Sequence, residues 1–117
     1  MSNREPRDDR TELLHGTLDL MVLRTLEALG PQHGYAIASR LAQVSDGAIQ
    51  LNMGTLYPAL VRLERRGLAR ARWDTTSNNR RARFYAITAA GRRQLQLEKA
   101  GWARMAGIID RLLTENS

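Results

Sequence analysis

The 117-residue chain has no cysteine, two histidines, one phenylalanine and a single lysine among its 18 basic residues. Without cysteine there are no disulfides and no thiolate metal sites, which fits a reducing cytoplasm. Two histidines leave little for a metal. His15 and Asp19 lie one helical turn apart, but two ligands make a weak site even with Glu12 nearby. No metal and no cofactor are therefore expected. Long apolar runs are also missing: nothing approaches the ~20 residues of a membrane span, and the first ten residues lack the pattern of a signal peptide. A soluble, cytoplasmic protein with no membrane partner is expected. There is no Ser-His-Asp arrangement, phosphate-cradling glycine loop or carboxylate pair, so the chain does not read as an enzyme.

What is plentiful is arginine, and its placement is uneven. From Arg62 to Arg83 eight arginines stand against Glu64 and Asp74, leaving that stretch at +6. This equals the formal charge of the whole chain, so the remainder balances to zero. A single basic segment in a balanced chain is the electrostatic footprint of a polyanion-binding face. A solvated charge run is the competing reading.

The length suits one domain with a modest core. Residues 1–12 are polar and mixed in sign and read as a flexible lead-in. Leu18, Met21, Val22, Leu26 and Leu29 recur at helical spacing, and Gly30-Pro31 ends this first helix. A second helix follows from Gly34 to Val44, with Ile37, Leu41 and Val44 on one face and His33 placed to cap or pack at its start. Ser45-Asp46-Gly47 turns the chain. The third helix carries Leu56, Ala59, Leu60 and Leu63 as its inward stripe. Pro58 is comfortable only in a first turn, which argues for a start near Gly54 or Thr55 with Thr55 as cap and Asn52 as the second candidate. Gly67 closes the helix in a left-handed conformation.

Residues 68–73 and 82–87 read as a two-stranded hairpin with a long, flexible, basic tip over 74–81. Thr88 caps a final helix to about Leu113. Along that helix Leu95, Trp102 and Ile109 repeat every seven residues, joined by Met105 and Leu112.

The fold class is mainly α with a small β-hairpin: a winged helix-turn-helix over residues 13–87, followed by a long C-terminal dimerisation helix over 88–114. In that layout the third helix enters the major groove of double-stranded DNA and its first residues reach base edges. The candidate contacts on this helix are Asn52, Gly54, Thr55, Tyr57, Pro58, Val61, Arg62 and Arg65. Gly54 permits close approach, Thr55 and Tyr57 offer hydroxyls, and Pro58 and Val61 suit a thymine methyl. Arg62 and Arg65 would lie on the outer side. Asn78, Asn79, Arg80 and Arg81 form the wing tip, and Arg83 adds a phosphate contact. The C-terminal seam has to be buried, either against a symmetry mate or back on the first helix. A winged-helix protein-interaction module without sequence-specific DNA binding is the alternative function.

The blocks Leu14-His15-Gly16-Thr17-Leu18-Asp19-Leu20, His33-Gly34-Tyr35-Ala36-Ile37, Gly54-Thr55-Leu56-Tyr57-Pro58-Ala59-Leu60 and Asn78 to Arg92 occur in order and at the right spacing. Together they resemble the PadR family of transcriptional regulators over residues 13–113. The resemblance implies a homodimeric repressor reading a palindromic operator, with dimerisation through its terminal helices, here Leu18, Leu95, Trp102, Met105, Ile109 and Leu112. It also implies that Tyr35 and the wing arginines lie near the DNA backbone. An aromatic small-molecule effector bound against Trp102 is a further implication.

Overall fold

The computed structural model describes residues 6–115, with side chains from residue 16 onward. The elements run α1 (Pro6–Leu29), β1 (Gln32–His33), α2 (Gly34–Val44), α3 (Met53–Arg65), β2 (Ala69–Thr75), β3 (Arg81–Ile87) and α4 (Ala89–Thr114). α1 starts at Pro6, inside the stretch read as a lead-in. A proline suits a first helical position, because the N–H it lacks has no partner there in any helix. Residues 1–5 of that lead-in lie outside the described residues.

The core gathers one stripe from every helix. Leu18, Val22, Leu23 and Leu26 of α1 pack with Ile37 and Leu41 of α2, Leu56, Ala59, Leu60 and Leu63 of α3, and Leu95 of α4. Tyr85 and Ile87 close it from β3. Two residues expected on inner stripes, Leu29 and Val44, are exposed. Each is the last residue of its helix, where the chain is already turning away from the core.

The wing has a third strand that periodicity does not reveal. β1 is two residues long and pairs antiparallel with β3, Gln32 opposite Tyr85 and His33 opposite Phe84. The sheet order is β1-β3-β2. Two residues are too few to show alternation, so only the tertiary fold reveals this strand. His33 then caps α2: its Nδ1 accepts a hydrogen bond from the Ala36 N–H at 3.3 Å, and its ring meets Phe84 edge-on.

The junctions around α3 follow local chemistry. The Gly67 N–H donates to the Glu64 carbonyl and the Leu68 N–H to the Leu63 carbonyl, with Gly67 at φ 75°. This paired pattern stops a helix in a left-handed residue, which glycine adopts without steric cost. Thr88 caps α4 by accepting from the Gly91 N–H at 3.0 Å, and its hydroxyl donates to the Gly67 carbonyl at 2.7 Å. One threonine thus joins the end of α3 to the start of α4. A side chain at Gly91 would collide with the Leu68 carbonyl, so the two segments approach this closely only because residue 91 has none.

Candidate nucleic-acid interface

The helix expected to read DNA is α3, and its outward geometry follows from its inward stripe. With Leu56, Ala59, Leu60 and Leu63 buried, helical spacing puts Gly54, Pro58, Val61 and Arg65 along the opposite line. Gly54, Pro58 and Arg65 are exposed and Val61 is half-buried. Tyr57 lies on the flank toward the wing and lines a cleft of about 250 Å³ with Tyr35, Arg81, Arg83 and Tyr85. Thr55, Arg62 and Arg66 fall on the other flank, toward α1.

The start of α3 differs from expectation. Asn52 is the cap, its side-chain oxygen accepting from the Thr55 N–H at 3.0 Å, and Thr55 is an exposed residue inside the first turn. Asn outranks Thr as a cap, and here it stands where the backbone is still extended. Pro58 consequently sits in the second turn, not the first. It leaves the Gly54 carbonyl without its helical hydrogen bond.

Two arginines expected at the interface are committed elsewhere. Arg62 donates to Asp19 of α1 at 2.8 Å, where Asp19 is nearly buried. Arg83 donates to Glu64 of α3 at 2.8 Å. The two ion pairs grip opposite flanks of α3 and fix its rotation against α1 and the wing. Loss of Arg62 would leave the nearly buried Asp19 carboxylate with only the longer contact to Arg66 at 4.0 Å. Desolvation lowers the pKa of Arg83, but Glu64, by hydrogen bond and charge, and Tyr85 together raise it above the ordinary arginine value. Burial pushes the Tyr85 phenol up, with Tyr57 adding to the shift and Arg83 opposing it. The Tyr85 hydroxyl is buried and makes no well-formed hydrogen bond, with the Arg83 side chain close enough to act on it.

Asp19, weighed from sequence as half of a metal pair with His15, is therefore a structural partner of Arg62. The side chains of His15 and Glu12 lie outside the described residues. Among the described residues no cluster of three or more His, Cys, Asp or Glu side chains is placed to hold a metal.

The wing tip is a hydrogen-bonded turn. The Thr76 N–H donates to the Arg80 carbonyl at 2.7 Å and the Asn79 N–H to the Thr76 carbonyl at 2.9 Å. Asn79 takes a left-handed φ of 63°, which asparagine tolerates better than most residues. The loop expected over 74–81 is shorter than read, a turn between strands that reach Thr75 and Arg81. Asn78, Asn79, Arg80 and Arg81 are exposed on it. Arg70 and Arg72 project from the sheet face opposite Trp73 and Arg83, because strand residues alternate sides. The basic segment is therefore not one continuous face. Among the described residues Arg65 and Arg80 are exposed and form no salt bridge, and Tyr35 is exposed at the start of α2.

Trp73 plays no part in the sequence-based site. It is 56% exposed, faces Arg83 across the hairpin, and has the Arg81 and Arg83 guanidinium groups at 5.3 and 5.9 Å from its ring. Exposed contacts of this type contribute about 0.5–1 kcal/mol each. The strand alternation contained the signal, but the register that pairs Trp73 with Arg83 depends on where the turn falls.

At the other end, Leu18 and Leu95 are 5% and 0% exposed and belong to the protomer's own core. They are not free to meet a partner. Leu95 packs back on the chain itself, and the open part of the seam starts one heptad later. Trp102, Met105, Ile109 and Leu112 are exposed, as are Ile108 and Leu113. Trp102 borders two open grooves. One, of about 650 Å³, runs past Met21, Leu41 and Ile49; the other, of about 680 Å³, runs past Gly16, Met105 and Ile109.

Fold and site together define a winged helix-turn-helix DNA-binding regulator. The family model described as the transcriptional regulator PadR-like family matches residues 22–97. The chain belongs to that family. A PadR family transcriptional regulator from Eggerthella lenta is 33% identical, with a TM-score of 0.74 over 94% of this chain and 93% of that one. A transcriptional regulator from Clostridium thermocellum shares the fold at a TM-score of 0.76 and 24% identity, covering 86% of this chain and 96% of its own. In sequence, a 37.1 kDa protein in a Streptomyces fradiae transposon is 41% identical over 90 residues, which are 77% of this chain and 24% of that protein. No described helix is long and apolar enough to cross a membrane.

Proposed function

We propose that this PadR-family regulator is a homodimeric repressor that reads a palindromic operator with α3 and grips the flanking backbone with the wing. The observation that carries this reading is the outward line Gly54, Pro58, Val61 and Arg65 with Tyr57 beside it, held by ion pairs on both flanks of α3. A small first turn permits close approach to bases, and the Tyr57 hydroxyl offers both a donor and an acceptor. Asn52, Thr55, Tyr35 and the tip residues Asn78, Asn79, Arg80 and Arg81 supply the remaining contacts. Membership of a family of transcriptional regulators supports action by binding and not as an enzyme.

The dimer would form through the exposed seam of α4. It would set two reading helices about one helical turn of DNA apart, ~34–36 Å. Footprinting on DNA next to its own gene should show a two-fold symmetric protected site, with affinity falling steeply as salt rises. Tyr57→Ala should cost about 1–3 kcal/mol of preference for that site over random DNA, measured by competition binding. Undiminished preference would remove α3 from the reading role. Failure of the wild-type protein to bind any DNA at low salt would favour the protein-interaction module instead.

Trp102, exposed between two grooves, supports an aromatic effector that relieves repression. Planar aromatic compounds should quench tryptophan emission in the wild-type protein and not in Trp102→Ala. Quenching that persists in the variant belongs to Trp73 and refutes the site.

A further inference from the structure

Trp73 is outside the hydrophobic core, on a strand whose core-facing residues end at Ala71. An indole left 56% exposed needs some other reason to be there, and its neighbours are two guanidinium groups. A guanidinium stacks on an aromatic ring through its flat face and keeps its N–H donors free along the edge. Stacking therefore orients an arginine without using up the groups that bind phosphate. Arg83 is held a second time by Glu64 of α3 at 2.8 Å, so a chain of contacts runs from Trp73 through Arg83 to the reading helix. Among the described residues Arg81 forms no salt bridge, so its donors remain available beside the wing tip.

We propose that Trp73 is a positioning residue of the nucleic-acid interface, ordering Arg81 so that the wing meets the phosphate backbone with its donors already aligned, while Arg83 ties the ring to α3. The inference rests on the DNA-binding reading above. Ordering a long side chain before binding removes an entropy cost from the binding step, a gain of about twofold to tenfold in affinity per side chain. The indole contributes no charge, so its effect appears in affinity and not in the number of counterions released.

The test uses a labelled random-sequence DNA duplex and fluorescence anisotropy over a salt series, because wing–phosphate contacts do not depend on sequence. Trp73→Leu, which keeps apolar bulk and loses the aromatic face, should bind about tenfold more weakly with the wild-type salt slope. Trp73→Phe should stay within about twofold to threefold of wild type. Arg81→Lys keeps the charge and loses the stack, and should weaken binding in the wild-type background. Added to Trp73→Leu, it should cost little more, since the two changes break one interaction. Equal affinity of the Leu and Phe variants overturns the proposal. So do losses that simply multiply in the double variant. If circular dichroism shows that Trp73→Leu does not fold, Arg81→Lys decides alone: weaker binding supports the stack, and wild-type affinity overturns it. A wild-type protein that binds no duplex at low salt overturns the DNA-binding reading itself, a different result from either.

Discussion

Tyr85 illustrates how a single residue is pulled two ways. Its ring fills the core between the wing and α3, while its hydroxyl is buried and makes no well-formed hydrogen bond. A buried, unsatisfied hydroxyl costs free energy, so Tyr85→Phe should keep stability or raise it by about 1 kcal/mol in chemical denaturation. The pH dependence has a definite sign. Burial raises the phenol above its ordinary value of 10.0. Below that value the group is neutral in the folded and unfolded chains alike, and its full contribution is present. As pH rises past it, the unfolded chain ionises first, and stability is lost until the folded value is passed. Tyr85→Phe should therefore flatten part of the alkaline fall in melting temperature; an identical fall in both proteins would contradict the shift. The sequence marks Tyr85 only as an apolar member of a strand. What raises its pKa is the enclosure by α3 and the wing.

At the scale of elements, α3 departs from what stability alone would select. Pro58 stands in the second turn, exposed, and leaves one carbonyl unpaired. Pro58→Ala should therefore stabilise the fold by on the order of 1–3 kcal/mol, read from a denaturation midpoint. A lower midpoint would mean that the ring's contacts outweigh the restored hydrogen bond. The same helix shows which signals are legible locally. The stripe Leu56, Ala59, Leu60 and Leu63 and the stop at Gly67 depend on residues a few positions apart, and both stand as read. The roles of Arg62 and Arg83 do not depend on neighbours of that kind. Asp19 is 43 residues from Arg62, and Glu64 is 19 from Arg83. An arginine's reach lets it turn to a distant carboxylate, and helical spacing alone cannot predict that choice.

For the whole molecule, the open question of the seam divides in two. Leu95 belongs to the protomer's core, and Trp102, Met105, Ile109 and Leu112 continue beyond it with their surfaces exposed. A stable dimer needs an interface of roughly 1,000 Å² or more, and the exposed apolar run of α4 is the surface proposed to supply it. Ile109→Arg should leave the circular dichroism spectrum unchanged, since Ile109 is 47% exposed and outside the hydrophobic core. In analytical ultracentrifugation it should shift the protein from dimer to monomer and weaken operator binding with it. A dimer that persists would move the interface off α4.

The amino-acid pattern by itself determined the helices, the caps at His33 and Thr88, the stop at Gly67 and the hairpin. Each of these follows from interactions between residues close in sequence: periodic burial, a side chain capping the next turn, a glycine taking a left-handed angle. Only the tertiary structure decided that Gln32–His33 joins the sheet, that Arg62 and Arg83 brace α3 from both sides, and that Leu18 and Leu95 are core. It also placed Trp73 beneath two arginines. These features depend on which distant segments meet, and that is set by how the whole core packs.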